Sequence, residues 1–385
     1  MLFEDVVSIK QYNLKKLITA IRFNDQLTKK DLSNLTSLSI ATITNLCNEL
    51  IGKGVLSEGD YSAEVRIGRT PNLMKFHYDR FYVLALDFQF NNAVGLAVLN
   101  LRNEICYSNS VRISSNATVE EIVALAHEKL REAIAEKGIE KQIIGVGASV
   151  PAVYDSNDGL IKCSSIARYQ NVPLKRIIAE TFGCPAYVDN CANLRAISAY
   201  AQSPSSNIVC LDVSQGVGCG VILDGEILHG KNGYAAEIAH IPIGDPSLRC
   251  PTCGAYGCVE TDLNVEHIVR HFPQIDPSLP LPEKWRECVR LLSENTEQSA
   301  PLLNHWGRLL GQVASILINL FDPSDFYVTG YITDIFPLLA DAFWQEVRSR
   351  SADSLKLNLN LHIPECLWSD VYIGISDAMY HRWLP

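Results

Sequence analysis

Hydrophobic residues near the N-terminus recur with the period of an amphipathic helix. Apolar side chains stand at positions i, i+3, i+4 and i+7 in the set Leu14, Leu17, Ile18 and Ile21. This spacing puts them on one face and predicts a helix that ends near Phe23. Thr28 and Asp31 then have the spacing of a capping box, with Asp where Glu is usual, and predict a short second helix that ends near Leu35.

The helical period returns after Ser39, whose side chain can cap a third helix that runs to Gly52. Its apolar stripe consists of Ile43, Leu46, Cys47 and Leu50. Its other face carries small polar side chains that can bond to phosphates or base edges in a major groove, namely Ser39, Thr42, Thr44, Asn45 and Asn48. Helix, turn and helix in this order predict a helix-turn-helix whose third helix reads DNA.

Two short strands are predicted after the third helix, at residues 55–58 and 71–74. The polar loop between them carries Arg66 and Arg69 and resembles the wing of a winged helix-turn-helix, from which an arginine can reach a minor groove. A three-helix protein-interaction module stays open as the alternative, because short helix-turn-helix patterns also arise by chance.

From residue 81 onward, short apolar strands alternate with helical stretches. Strands are predicted at 81–87, 94–99, 143–150, 185–189, 207–213, 220–223 and 326–329. Helices are predicted at 119–136, around 260–272 and 300–321, and near 373–383. This alternation indicates an α/β body, for which two lobes with a cleft between them are the expected architecture.

The charge distribution limits where DNA can bind. The 385 residues have a formal net charge of −10, which argues against DNA binding by the whole molecule. Residues 1–80 carry 11 Lys and Arg against 9 Asp and Glu, whereas the remainder carries 22 against 34, so any DNA contact is expected at the N-terminal end.

No apolar run approaches the ~20 residues of a membrane span, and acids stand where a signal peptide has positive charge. We therefore expect a cytoplasmic chain with no membrane partner.

Most of the 12 cysteines are scattered singly and are expected to be buried thiols, but three cluster. Cys250, Cys253 and Cys258 lie within nine residues and follow His240. Three thiolates and one imidazole make a closed tetrahedral zinc site, which leaves no position for a catalytic water and is therefore structural. Three unligated buried thiols are the alternative.

Several of these segments resemble the ROK family (repressors, open reading frames and sugar kinases), and in particular its repressor branch, which includes the xylose and N-acetylglucosamine repressors. The segments are 39–42, Gly68-Arg69-Thr70-Pro71, 188–193, 233–240 and 250–260. The resemblance implies an actin- and hexokinase-like body with sugar in the cleft, and the same four metal ligands. One departure is that two residues, Pro251 and Thr252, separate the first two cysteines where the family usually has one.

Features of the ROK kinases are changed in this chain. The catalytic aspartate of their Asn-Asp-Ala stretch is replaced by Cys191, and a neutral thiol is a poor general base near neutral pH. In the kinases, the backbone of a first loop approaches the phosphates, and Gln89 and Phe90 would block that approach here. Gly330-Tyr331 stands where the kinases have a pair of glycines near adenosine. Alternating glycines at 214–220 remain, although structural turns explain them equally well. We therefore expect no catalysis.

The resemblance also implies which residues contact a sugar, namely Asn190, Glu237, His240 and Glu260. Glu237 and His240 lie three residues apart, which puts both on one face of a helical turn. Without the family context, Glu237 could equally be a solvated or capping acid. Ala152, Ser164 and Ser165 depart from the family pattern, so the identity of the sugar is left open.

Together these features predict a winged helix-turn-helix at 1–78, a first lobe at 79–200 completed by helix 373–385, and a second lobe at 201–372 with the zinc loop. The predicted function is a transcriptional repressor of carbohydrate metabolism that binds operator DNA as a homodimer or dimer of dimers and senses a sugar or sugar phosphate. The alternatives are a ROK sugar kinase with an added DNA-binding domain and a regulator controlled by a protein partner.

Overall fold

The computed structural model describes residues 2–24, 26–59, 72–155, 159–164, 166–202, 205, 207–351, 359–365 and 369–384. The chain divides into two compact units. The first unit consists of Met1–Ala148, Lys175–Tyr187 and Ile375–Pro385, and the second of Ser149–Leu174 and Val188–Gly374. Each unit is therefore built from segments that are far apart in the sequence.

Three helices open the first unit: α1 (Leu2–Phe23), α2 (Lys29–Thr36) and α3 (Ile40–Gly52). The Thr28–Asp31 capping box predicted for α2 is present in both directions, since the Thr28 side chain accepts from the Asp31 N–H and the Asp31 carboxylate accepts from the Thr28 N–H. The predicted cap of α3 is confirmed as well, because the Ser39 hydroxyl accepts from the Thr42 N–H at 3.1 Å. The apolar stripes of all three helices are buried.

A three-stranded antiparallel sheet accompanies these helices, in the order β1 (Leu27–Thr28), β3 (Leu73–Phe76), β2 (Leu56–Gly59). The last two strands begin one or two residues later than the sequence predicts. The two-residue strand β1 is too short to give a periodic signal. Residues 60–71, including Arg66 and Arg69 in the predicted wing, lie outside the described residues.

A five-stranded sheet follows, with the strand order β10-β7-β4-β5-β6. These strands are β4 (Tyr82–Asp87), β5 (Ala93–Asn100), β6 (Ile105–Arg112), β7 (Ile143–Val150) and β10 (Ala186–Asn190). Helices α4 (Val119–Lys137) and α5 (Leu174–Phe182) precede β7 and β10 along the chain. Sequence periodicity predicts α4 and the apolar strands but misses β6, whose side chains are mostly exposed and polar.

The second unit contains a hairpin and a second five-stranded sheet. The hairpin pairs β8 (Ala152–Asp155) with β9 (Leu160–Ser164). The sheet has the order β13-β12-β11-β14-β15, formed by β11 (Ile208–Val213), β12 (Val217–Leu223), β13 (Glu226–Ile227), β14 (Asp325–Thr329) and β15 (Asn360–His362). Strand β11 is central, antiparallel to β12 and parallel to β14.

The helices of the second unit are α6 (Cys191–Gln202), α7 (Val259–Leu263), α8 (Val265–Arg270), α9 (Leu281–Glu294), α10 (Thr296–Phe321) and α11 (Phe336–Arg350). The single helix predicted around 260–272 is two helices, because Asn264 ends α7 in extended conformation and its side chain caps α8 by accepting from the His267 N–H. Buried apolar residues of α10 and α11 form a large part of the core of this unit.

The closing helix α12 (Asp370–Trp383) begins in the second unit and passes into the first at Gly374. Within the second unit, a Cβ on Gly374 would lie 2.0 Å from the Leu194 carbonyl oxygen of α6, so only glycine allows this close approach. Within the first unit, α12 packs on β7, where Gly145 and Gly147 make room for Met379 and Ile375. Among the described residues, none of the helices has both the length and the apolar composition needed to cross a bilayer.

Candidate functional site

The predicted DNA-reading residues lie on one side of α3, opposite its buried stripe. Ser39, Asn45 and Asn48 are exposed, and Thr42 and Thr44 are partly exposed. The Thr42 and Ser39 hydroxyls lie 2.9 Å apart, and the Thr44 hydroxyl donates to the Ile40 carbonyl at 2.8 Å. Within the described part of the chain, the Asn45 and Asn48 amides make no hydrogen bond, so both are available to a partner.

The four predicted metal ligands are brought together. His240 ends a 3₁₀ turn (Ile238–His240), Cys258 immediately precedes α7, and Cys250 and Cys253 lie in the loop between these elements. The loop is tightened by a hydrogen bond from the Cys250 N–H to the Ala255 carbonyl at 2.7 Å and by glycines at positive φ at positions 254 and 257.

The distances within this cluster match a tetrahedral thiophilic ion. All four ligand atoms lie within 4.8 Å of one another. The Cys253 and Cys258 Sγ atoms are 3.5 Å apart, and Cys250 Sγ lies 3.7 Å from His240 Nδ1. Zinc–ligand bonds of ordinary length separate the ligand atoms of a tetrahedron by roughly 3.5–3.8 Å. The donor set therefore can hold a metal ion, as the sequence predicts.

Two half-buried carboxylates adjoin the metal cluster. Glu260 belongs to the first turn of α7, and its Oε2 lies 3.9 Å from His240 Nδ1. Glu237 precedes the 3₁₀ turn, next to Ala236 at φ 59°, a left-handed conformation that costs energy for a residue other than glycine. Burial and the nearby charge of Glu260 raise the pKa of Glu237 to about 7, and burial raises the pKa of Glu260. The pair offers carboxyl oxygens that can accept hydrogen bonds.

The fourth predicted ligand residue, Asn190, has a structural task of its own. Its side-chain oxygen caps α6 by accepting from the Asn193 N–H at 2.7 Å, which leaves the amide NH₂ for other partners. Among the described residues, no hydrogen bond joins Asn190 to Glu237, His240 or Glu260. The structure thus groups three of the four predicted residues directly and places Asn190 at the start of α6.

Cys191, at the predicted position of the kinase base, is the first residue of α6. There the Ser149 hydroxyl lies 3.1 Å from the Cys191 sulfur. Of the alternating glycines at 216–220, Gly218 and Gly220 belong to β12 rather than to a loop, and both have a steric reason. A Cβ on Gly220 would lie 2.4 Å from the Ala192 carbonyl oxygen, and one on Gly218 would lie 2.9 Å from the Ala192 Cβ.

The other positions that are predicted to depart from the ROK kinases make contacts within the fold. Gly330 adopts φ 88°, and a Cβ there would meet the Val213 carbonyl at 2.4 Å. Tyr331 is buried and packs against Trp285 with ring centroids 5.9 Å apart. In the first loop, the Gln89 N–H donates to Asp87 at 3.2 Å. Ser164 donates to the Pro151 carbonyl, whereas Ser165 lies outside the described residues.

Sequence reasoning missed two buried polar contacts near α6. His229 Nε2 lies 2.8 Å from the Asp189 carboxylate, directly before Asn190. Arg195 Nε lies 3.2 Å from Asp212 Oδ1, and both side chains are almost fully buried. Each pair joins residues that are far apart in sequence, so no local spacing could have indicated it.

Curated relatives of the chain are named as repressors. A putative xylose repressor of Caldicellulosiruptor sp. (strain Rt8B.4) is 30% identical over 256 residues, which cover 66% of this chain and 63% of that protein. The xylose repressor of Bacillus spizizenii (strain ATCC 23059 / NRRL B-14472 / W23) is 24% identical over 394 residues, 99% of this chain and 98% of that protein. The chain thus spans less than two thirds of the first relative but nearly all of the second.

Solved structures show the same fold. A ROK family transcriptional regulator, described as a homolog of the E. coli MLC protein, matches with a TM-score of 0.78 and 22% identity over 98% of this chain and 96% of its own. A ROK hexokinase from Thermus thermophilus matches with a TM-score of 0.60 and 22% identity over 77% of this chain and 97% of its own. The model of the ROK family itself matches residues 91–365. The predicted family and α/β body are therefore confirmed, and the chain belongs to the ROK family.

Proposed function

We propose that this chain is a sequence-specific DNA-binding repressor of carbohydrate metabolism that responds to a sugar or sugar phosphate without phosphorylating it. The observation that carries the proposal is the polar, exposed side of α3, where the amides of Asn45 and Asn48 are available. Relatives named as xylose repressors, one of them aligned over nearly the whole chain, support the same function.

Residues 1–78 form the DNA-binding domain in this proposal, as a winged helix-turn-helix. Helix α2 ends before Ser37, whose φ of 58° turns the chain sharply, and Ser39 begins α3 two residues later. The buried stripe of α3 fixes its orientation, so its polar side faces outward as a recognition helix requires. Asparagine suits this task because its amide can bind adenine through two hydrogen bonds. Arg66 and Arg69 are proposed to contact the minor groove.

The remainder forms the sensor, divided into residues 79–200 with 373–385 and residues 201–372. Glu237, Glu260 and His240 are proposed to bind hydroxyl groups of the effector, together with the amide of Asn190. Two carboxyl groups beside an imidazole suit a polyol, because their oxygens accept hydrogen bonds from its hydroxyl groups.

Zinc is proposed as the ion held by His240, Cys250, Cys253 and Cys258. All four positions of a tetrahedron are then occupied by protein, so the ion has a structural task. It fixes the loop that carries His240 and precedes Glu260. The proposed absence of catalysis is supported by Cys191, since a base in phosphoryl transfer must accept the proton of the attacking hydroxyl and a neutral thiol does so poorly.

A homodimer or a dimer of dimers is proposed as the DNA-bound form, because two recognition helices one helical turn apart match a roughly palindromic operator. An effector can relieve repression only if it binds the DNA-free conformation more tightly than the DNA-bound one.

The test is a fluorescence-anisotropy titration of the purified chain with DNA from upstream of its own gene, at fixed salt, with and without a panel of sugars and sugar phosphates. We expect binding well above that to random DNA, relieved by at least one sugar. Asn45→Ala should weaken specific binding by about 1–3 kcal/mol, or roughly 5- to 150-fold. Asn304→Ala, at an exposed position of α10, is the matched control and should change nothing.

Two outcomes would contradict the proposal. Phosphoryl transfer from ATP to a sugar would favour a ROK kinase with an added DNA-binding domain. Specific DNA binding that no sugar alters, together with no sugar-induced change in melting temperature, would favour control by a protein partner.

A further inference from the structure

Four polar side chains form a second potential metal-binding cluster, apart from the His–Cys group. The residues are Asp262 of α7, His267 of α8, His271 directly after α8, and His305 of α10. All four belong to the second unit. We propose that Asp262, His267 and His271 bind a divalent first-row transition metal ion. This inference does not depend on the proposed repressor function.

The two histidines have the spacing and geometry of paired metal ligands. They stand at i and i+4, and His271 keeps helical backbone angles, so both rings project from one side of the helix. Their Nε2 atoms lie 3.3 Å apart. Metal–nitrogen bonds of ordinary length in a tetrahedral site separate two nitrogens by about 3.3 Å. The two nitrogens are thus close enough to become neighbouring ligands of one ion once the His271 ring has rotated toward Asp262.

Asp262 supplies the negative charge that such an ion needs. Its side chain is 4% exposed, and its Oδ1 lies 3.8 Å from His267 Nε2. Its other oxygen lies 2.9 Å from His305 Nε2 and accepts the Asp245 N–H at 3.3 Å. A carboxylate held in this way cannot swing away from the histidines. His305 acts as a positioning residue in this arrangement, since it orients the carboxylate from the side opposite the ion.

The cluster needs one side-chain movement before it can hold an ion. Among the described residues, only the His–Cys group has all its ligand atoms within 4.8 Å, so one side chain here must rotate to close the site. His271 is exposed and can do so.

The nature of the ligands selects the class of ion. Imidazole nitrogens with one carboxylate favour Zn²⁺, Ni²⁺ or Co²⁺ over Mg²⁺ and Ca²⁺, which prefer oxygen ligands. Thiolates are absent from this group, so it differs chemically from the His–Cys cluster. Ni²⁺ is the suitable probe, because the sulfur-rich cluster can be filled with Zn²⁺ beforehand and both metals can be counted separately.

The experiment uses the untagged full chain, loaded with one equivalent of Zn²⁺ and freed of excess metal. Equilibrium dialysis against micromolar Ni²⁺, followed by elemental analysis, should give one Ni²⁺ per chain with the zinc retained. His267→Ala and His271→Ala should each lower Ni²⁺ affinity by tenfold or more, since each removes a ligand. Arg270→Ala, at an exposed position between them, is the matched control and should bind Ni²⁺ normally.

A second readout is tryptophan fluorescence. The His271 ring lies 5.5 Å from the buried ring of Trp306, so a bound paramagnetic Ni²⁺ should quench Trp306 emission in the wild type and the Arg270→Ala variant only. Cys253→Ser should lose zinc and keep the nickel, which separates this inference from the proposed structural zinc. No Ni²⁺ binding by the wild type, or equal binding by the His271→Ala variant, would overturn the inference.

Discussion

A buried ion pair between the first and last helices of the chain offers the sharpest stability test. Within the first unit, the Arg22 guanidinium of α1 contacts the Asp377 carboxylate of α12, and the two side chains are 4% and 3% exposed. Arg22 Nε also donates to the Leu101 carbonyl at 3.0 Å, and Asp377 lies 3.3 Å from His381. The perturbation is Asp377→Asn, which keeps the shape of the side chain and removes its charge.

The expected loss of stability follows from the Arg22 charge that Asp377→Asn leaves buried without a partner. Removing one partner of a buried pair leaves the other charge without compensation, which costs about 3–5 kcal/mol. Replacing both partners by apolar residues removes that penalty, so Arg22→Met combined with Asp377→Leu should cost much less than the two single changes added together. Glu294→Gln breaks the exposed pair with Arg290 on α9 and should change the stability little, because solvent screens this pair.

Hydrogen exchange of native protein, followed by mass spectrometry, is the suitable assay because a chain of two units need not unfold in one step. Peptides from α1 and α12 should lose protection together in the Asp377→Asn variant, while peptides from α10 should not change. A cost below about 1 kcal/mol, or strict additivity in the double variant, would show that Arg22 and Asp377 do not compensate each other's charge.

The same pair makes the first unit sensitive to acid. Burial alone would raise the pKa of Asp377, but His381 and Arg22 together hold it well below its usual value. A carboxyl whose pKa is lowered by folding stabilises the protein above its unfolded pKa of about 3.9, and this contribution is lost as the pH falls further. Protection of α1 and α12 should therefore decline below about pH 4 in the wild type and depend less on pH in the Asp377→Asn variant.

Three further changes test other parts of the fold. Gly220→Ala should lower the stability of the second unit by about 1–3 kcal/mol, because the new Cβ would lie 2.4 Å from the Ala192 carbonyl oxygen. Thermal denaturation measures this, and Gly52→Ala is the control because a Cβ there meets open space. Ser39→Ala removes the cap of α3, so it should destabilise this helix by about 1 kcal/mol and weaken DNA binding. Hydrogen exchange of the α3 amides would measure the first effect and fluorescence anisotropy the second. Burial raises the pKa of Asp370 to about 6 in the folded protein. As the pH rises from about 4 to 6, this carboxyl ionises more readily in the unfolded state, so the free energy of unfolding falls. Asp370→Asn should therefore raise the melting temperature above pH 6, and an equal gain at pH 4 would contradict this.

Local patterns predicted the N-terminal helices well because their determinants are local. The Thr28–Asp31 box and the Ser39 cap are each defined within four residues, and both are present. The apolar strands β4 and β11 were predicted for a similar reason, since continuous apolar runs are typical of buried strands. Strand β6 and the two-residue β1 carry no such pattern, and only pairing with neighbouring strands defines them.

The candidate metal ligands could be predicted because their residue types are chemically distinctive and closely spaced. The buried pairs Arg22–Asp377 and Arg195–Asp212 could not, since their members are brought together only by the tertiary fold. The histidine cluster falls between these cases: His267 and His271 have a readable i, i+4 spacing, whereas Asp262 becomes part of it only through the break between α7 and α8.

Under the proposed function, the arrangement of the second unit would let a kinase-like fold keep a ligand site without a catalytic base. Glu237, His240 and Glu260 lie beside the candidate metal ligands and in α7, whereas Cys191, at the predicted base position, begins α6. A general base contributes typically 10²- to 10⁴-fold to the rate of reaction and acts on the transition state. Its replacement by Cys191 would therefore slow turnover by about that factor and leave the proposed ligand-binding groups in place. Under the proposed function, that separation leaves the free energy of effector binding available to shift a conformational equilibrium.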